Sequence, residues 1–181
     1  FHFPELTLVG IVDVDLGLEG GDLRAGERTY QQVAQVAGRA GRGSKPGEVL
    51  IQTRHPEAPV IAALAAGDRD AFYSAETEMR REAGAPPFGR WASIIISSED
   101  DGEAREAANR LGAFRPDVAD CMILGPAPAP MALLRGRYRY RFLINARRSV
   151  QLQHVIRRWL TQVDHPAGVR VAVDIDPYSF V

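Results

Sequence analysis

The sequence predicts an α/β unit followed by an α+β domain, and three observations carry that division. Residues 6–53 read as strand, helix, strand; residues 91–175 read as strand, helix, strand, strand, helix, strand. Between them lies Gly84-Ala85-Pro86-Pro87-Phe88-Gly89, whose paired prolines cannot continue a helix and favour an extended or turning connection. The boundary is placed there, giving domains 1–84 and 85–181.

Taken in order, Leu6 to Val14 is an apolar run without alternation, the pattern of a strand buried in a parallel sheet. Gly17, Gly20 and Gly21 punctuate it, and Asp22 is placed to cap a helix from about Leu23 to Arg42, weakened at its end by Gly38 and Gly41. Lys45-Pro46-Gly47 is a turn and Glu48 to Thr53 a second strand, completing an α/β unit. Val60 to Ala66 and Asp68 to Ala83 read as two further helices.

Beyond the prolines the expected elements are strand 91–98, helix 100–113, strand 121–124, strand 137–145, helix 149–164 and strand 169–175. That βαββαβ order is the ferredoxin-like arrangement. The proline-rich stretch Gly125 to Pro130 reads as a semi-rigid loop. In the last helix Leu152, Val155, Ile156, Trp159, Leu160 and Val163 form one apolar stripe, with Ser149 as its expected cap. Gln151, Gln153, His154, Arg157 and Arg158 fall off the stripe, toward solvent.

Composition narrows the function classes. No apolar run approaches the roughly 20 residues of a membrane-spanning helix, and the first residues do not resemble a signal peptide. A single cysteine, Cys121, excludes an internal disulfide and a cysteine-built zinc site, and the four histidines are too scattered for a metal. The net charge of −1 conceals a division: residues 1–84 carry 13 acidic and 9 basic side chains, residues 85–181 carry 10 and 13. Eight arginines fall between Arg135 and Arg158, where no acidic residue occurs.

The most specific local signal is Gln35-Val36-Ala37-Gly38-Arg39-Ala40-Gly41-Arg42. On a continuing helix Gln35, Arg39 and Arg42 would project from one face. Two guanidiniums and an amide suit an anionic, oxygen-rich ligand such as a triphosphate, where an arginine stabilises charge on the transferred phosphoryl group. The same spacing also suits surface salt bridges. No G-x-x-x-x-G-K-[ST] phosphate loop is present to complete a nucleotide site within this chain.

These residues carry a family resemblance. Q-x-x-G-R-x-G-R is similar to motif VI of superfamily 2 helicases, and Phe1-His2-Phe3-Pro4 resembles the tail of motif V. Gly20-Gly21-Asp22-Leu23-Arg24-Ala25-Gly26-Glu27-Arg28 leads directly into it. Together with Pro86-Pro87-Phe88-Gly89, Leu124-Gly125-Pro126-Ala127-Pro128-Ala129-Pro130, Arg135-Gly136-Arg137-Tyr138-Arg139 and Asp174-Ile175-Asp176-Pro177, this segment resembles the PriA family of primosomal replication-restart helicases (primosomal protein N′).

The resemblance implies the distal part of a RecA-like second helicase lobe ahead of the ferredoxin-like domain. It implies the C-terminal part of a cytoplasmic enzyme that uses ATP and Mg2+ to move 3′ to 5′ on DNA, unwinds branched forks and helps to reload the replicative helicase. Arg39 and Arg42 would contact the γ-phosphate, Arg42 as the finger, and Gln35 would couple the cleft to lobe movement. Asp13 and Asp15 would belong either to the same lobe interface or to a strand-end turn. The first lobe and the zinc-binding insertion are not in this chain, so ATP hydrolysis by the chain alone is not expected. The alternative is a DNA- and partner-binding primosome scaffold whose parent has lost ATP hydrolysis.

In the basic tract Arg135, Arg137, Arg139 and Arg141 share one parity and Tyr138, Tyr140 and Phe142 the other. On a strand this puts arginines on one face and aromatics on the opposite one, either a surface for single-stranded or forked DNA or a solvated outer face over a core. The resemblance further implies docking of the acidic, hydrophobic tail of single-stranded DNA-binding protein. Arg148 and Gln153, at the start of the last helix, are the candidates for it.

Overall fold

The computed structural model describes residues 5–18, 24–41 and 45–177. Two compact units divide the chain, residues 1–79 and 80–181, with the division inside the third helix. No helix among the described residues is long and apolar enough to cross a membrane.

In the first unit, β1 (Leu8–Ile11) pairs in parallel with β2 (Glu48–Ile51), Leu8 opposite Glu48 and Ile11 opposite Ile51. Between them run a 3-10 turn, Val14–Gly17, and α1 (Ala25–Ala37). The helices α2 (Pro59–Ala66) and α3 (Arg69–Glu82) follow. Val14, Tyr30, Val33, Val60, Ile61, Ala63 and Phe72 make the core, where the Tyr30 and Phe72 rings stack at 4.0 Å.

Two expectations are corrected here. The parallel pairing is present, but β1 is not buried on both faces: Val9 is buried, whereas Leu8 is 52% and Leu50 61% exposed. Its described sheet has only two strands, too few to cover a continuous apolar run. The helix also does not reach Arg42. It ends at Ala37 with Gly38 as cap, and tight turns follow, Arg39 N–H donating to Val36 O and Ala40 N–H to Ala37 O. Gly41 then takes φ +72° and donates its N–H to Leu6 O at 2.8 Å. A Cβ there would sit 2.8 Å from Gly47 N, so both the backbone angle and the close approach call for glycine. The expected cap Asp22 lies outside the described residues, as do Phe1 to Pro4 and Arg42.

The second unit contains β3 (Gly89–Ser98), α4 (Asp101–Ala113), β4 (Cys121–Leu134), β5 (Arg137–Arg147), α5 (Leu152–Leu160) and β6 (Arg170–Ile175). The βαββαβ order is as expected, and the four strands form one antiparallel sheet in the order β4-β5-β3-β6. Alternate residues of β3 and β5 face the helices: Ala92, Ile94, Ile96, Phe142, Ile144 and Ala146 pack against Ala107, Ala108 and Leu111 of α4 and Leu152, Ile156 and Trp159 of α5. Trp159 satisfies its buried indole by donating Nε1–H to Leu111 O at 2.9 Å and meets Phe142 edge-to-face at 5.1 Å. Asp100 caps α4 by accepting from Glu103 N–H at 2.8 Å, while Ser98 Oγ donates to Glu103 Oε2.

Two further expectations give way. Gly125 to Pro130 is not a loop but lies inside the long strand β4. As an edge strand, β4 has one side without ladder partners, where proline costs little, and its register shifts twice around the prolines. Gly125, at φ +109°, lets the strand pass where a Cβ would lie 2.6 Å from Arg141 O. The last helix is shorter than 149–164 and is capped at Gln151, not Ser149. A tight turn, with Val150 N–H on Arg147 O and Leu152 N–H on Val150 O, occupies the chain around Ser149. Past Leu160, bonds from Gln162 N–H to Trp159 O and Val163 N–H to Leu160 O keep Val163 in the core without prolonging the α-helix.

Candidate functional site

In the first unit, Gln35 lies on the last turn of α1 and Arg39 in the turn beyond it, both exposed. The helix end, set by Gly38, takes Arg39 off the helical face expected to hold it with Gln35, and Arg42 lies outside the described residues. What remains is an amide and a guanidinium presented to solvent near the end of one helix, with donors that fit an anion. Asp15, in contrast, is 2% exposed and engaged: Thr53 Oγ1 donates to it at 2.6 Å, Arg54 N–H at 2.8 Å and Arg54 Nε at 3.4 Å. The Thr53 hydroxyl foremost, then the Arg54 N–H, holds its carboxyl below the usual carboxylate range. Asp13, at φ +51°, starts the 3-10 turn, and its carbonyl accepts Leu16 N–H. Both aspartates therefore shape the end of β1.

In the second unit the expected division of β5 is present. Tyr140 and Phe142 turn to the helices; Phe142 is fully buried, and Tyr140 O–H donates to Asp101 Oδ1 at 3.0 Å. Burial, then this bond, pushes the Tyr140 phenol up. Tyr138, nearer the hairpin, is exposed. Arg137, Arg139 and Arg141 share the opposite face, but Arg135 does not. It sits with Gly136 in a two-residue turn in which both have positive φ, 51° and 73°. That is the geometry of a type I′ hairpin turn, and it takes Arg135 off the strand.

The three strand arginines differ in their surroundings. Arg137 reaches across β3, its Nη2 donating to Ser97 O at 2.9 Å and Gly168 O at 2.7 Å, and Nη1 pairs with Glu99 at 3.3 Å. Arg139 is half-buried, and its Nη1 is buried with no hydrogen-bond partner among the described residues. Arg141 is half-buried beside it on the strand. Sheet register adds a residue that sequence reasoning missed. Ser97 pairs with Arg139 on one side and Arg170 on the other, so Arg170 of β6 joins the same face. Nothing local in the sequence marks Arg170, because only strand pairing brings it there.

At the start of α5, Arg148 and Gln153 are exposed and line one polar hollow with Arg90, His154 and Arg157. An apolar groove between α5 and β6 adjoins it through Gln153 and Arg157, floored by Ile156, Leu160, Val173 and Ile175. Cys121 is half-buried and burial pushes its thiol up, so it is not an activated nucleophile. Among the described residues no three His, Cys, Asp or Glu side chains are grouped to hold a metal ion.

The first unit thus pairs two parallel strands around a helix that ends at Gly38, and the second is an antiparallel βαββαβ domain with arginines on the sheet face opposite its helices. The chain belongs to the primosomal protein N C-terminal domain family, whose model matches residues 81–178. It is 43% identical over 180 residues to the replication restart protein PriA of Rickettsia conorii, covering 99% of this chain and 28% of that protein. It is 40% identical to the protein of the same name from Treponema pallidum, covering 99% of this chain and 28% of that protein. With the Bacillus subtilis one it shares 35% identity over 99% of this chain and 23% of that protein. The chain thus spans about a quarter of the length of the curated relatives it matches.

Proposed function

We propose that the chain is the C-terminal portion of an ATP-dependent 3′–5′ DNA helicase that binds stalled or branched forks and initiates primosome assembly for replication restart in the cytoplasm. The observation that carries this reading is the similarity of 99% of the chain to proteins named replication restart protein PriA. Residues 1–84 are read as the distal part of a RecA-like second lobe. The parallel β1–β2 pair with α1 between its strands supports this, as do the exposed apolar residues Leu8 and Leu50 on those strands.

Arg39 and Arg42, with Gln35, would bind the phosphates of ATP and its Mg2+ in a cleft completed by residues outside this chain, Arg42 steadying charge on the transferred phosphoryl group. The zinc ligands of such an enzyme would likewise lie elsewhere. The tract containing Arg135, Arg137, Arg139 and Arg141 is read as the DNA-facing region. Arg148 and Gln153 would receive the acidic tail of single-stranded DNA-binding protein, and other primosome proteins and the replicative helicase loader complete the partners. The juxtaposition of a basic hollow and an apolar groove at α5 supports a tail that is both acidic and hydrophobic. In the full-length protein Arg42→Ala should abolish DNA-stimulated ATPase activity while DNA binding largely survives. Unimpaired ATPase activity would remove the assigned role.

A further inference from the structure

We propose that Arg139 and Arg170 hold DNA phosphates on the open face of the four-stranded sheet, with Arg137 shaping the end of that face and Arg135 outside the site. The inference rests on the DNA-binding reading of the tract and changes its membership. Within residues 80–181, α4 and α5 pack on one face of the sheet. Among the described residues of this unit the other face is covered at one end, where Ala85 packs on Trp91 and Leu143 and Asn145 Nδ2 donates to Ala83 O at 3.0 Å. The remainder presents Arg139, Ser97 and Arg170 in one row across three strands, and Arg141, Ile95 and Ala172 in the next. Asp174 lies opposite Ser93, toward the covered end, and Glu99 is engaged by Arg137.

The hydrogen bonding separates the arginines. Arg137 would have to give up Ser97 O and Gly168 O to meet a phosphate. Arg139 carries a buried guanidinium nitrogen with no acceptor among the described residues, a costly state that a phosphate oxygen would relieve. Arg170 is exposed at the edge strand and free to extend. Among the described residues the aromatic side chain on this face is Trp91, which is buried beneath Ala85 and offers no stacking platform. Contact is therefore with the backbone and not the bases, which calls for steep salt dependence and little base preference.

The test uses the 181-residue chain and two fluorescent twenty-nucleotide probes, oligothymidylate and an abasic deoxyribose phosphate of equal length, titrated over a range of salt. Both probes should bind within about twofold of each other, and Arg139→Gln and Arg170→Gln should each lower the salt slope by about 0.7, the value of one single-strand phosphate contact. Arg158→Gln on α5 should leave the slope as it was. Because Arg139 is half-buried, tryptophan fluorescence of each variant establishes folding, and exposed Arg170 supplies a second substitution remote from the core. Binding that ignores Arg139 and Arg170 overturns the inference while leaving DNA binding by the chain intact. A loss of tenfold or more on the abasic probe overturns backbone reading, and equal capture of polyglutamate assigns the face to an acidic peptide. No binding of either oligonucleotide overturns both this inference and the reading beneath it.

Discussion

Asp176 clasps the start of β3 through Arg90: Arg90 Nε donates to its Oδ2 at 2.7 Å while Trp91 N–H donates to Oδ1 at 2.9 Å. Asp176 N–H returns a bond to Trp91 O at 2.7 Å, and its φ of +50° is one that Asp and Asn tolerate better than other side chains. The end of the last strand is thereby tied to the beginning of the domain. Asp176→Ala should destabilise the second unit by about 2 kcal/mol, the worth of a hydrogen bond to a charged group, and Asp176→Asn by less. Both tryptophans, Trp91 and Trp159, lie in residues 80–181, so denaturant titration followed by tryptophan fluorescence reads this unit alone.

Arg137→Ala should likewise register as a loss of stability, about 1.5–3 kcal/mol, since it empties two backbone carbonyls of their charged donor. The pair with Glu99, whose side chain is 83% exposed, adds little. Glu99→Ala should therefore leave the fluorescence midpoint unchanged; a shift as large as that of Arg137→Ala would assign the stability to the ion pair instead.

Acid should loosen the first unit through Asp15. Its folded carboxyl titrates below the ordinary 3.8, so its contribution is present above that value and is lost as pH falls through the lowered folded value. Circular dichroism from neutral pH to about pH 2 should show an acid transition that Asp15→Asn blunts. An identical acid profile for the variant would place the titrating group elsewhere.

Gly41→Ala combines a left-handed backbone, costing roughly 1–2 kcal/mol for a residue with a Cβ, with a contact 2.8 Å from Gly47 N. The loss should exceed the backbone cost alone and appear as faster hydrogen exchange at Glu48 N–H, which donates to Thr7 O at 2.7 Å in the adjoining strand pair. Unchanged protection there would mean that the turn relaxes without strain.

At α5, Arg148→Glu should weaken binding of a synthetic peptide with several acidic residues and a C-terminal phenylalanine by about tenfold, a change of roughly 1.4 kcal/mol. Leu160→Asp in the adjoining groove should weaken it further without altering oligothymidylate binding. Calorimetry with both ligands separates the two surfaces, and equal loss of the peptide and the oligonucleotide would merge them into one.

Much of the second unit was legible because its signals are local. The stripe from Leu152 to Val163 needs only the helical repeat to declare its buried face, and the alternation from Arg137 to Phe142 needs only the strand repeat. The prolines of 126–130 misled because their meaning depends on which strand lies at an edge, a property of the whole sheet. The helix through Arg39 misled because Gly38 and Gly41 end it in favour of a backbone bond to Leu6, remote in sequence.

The sequence by itself therefore determined the order of elements, the buried stripes and the collinear motifs, since each follows from spacing along one chain. Tertiary structure alone decided the makeup of the arginine face. Pairing across Ser97 brought Arg170 into it, the hairpin turn took Arg135 out, and the bonds to Ser97 O and Gly168 O committed Arg137 to the framework. The reason is physical: strand register and hydrogen-bond acceptors are supplied by residues dozens of positions away, and no local spacing encodes them.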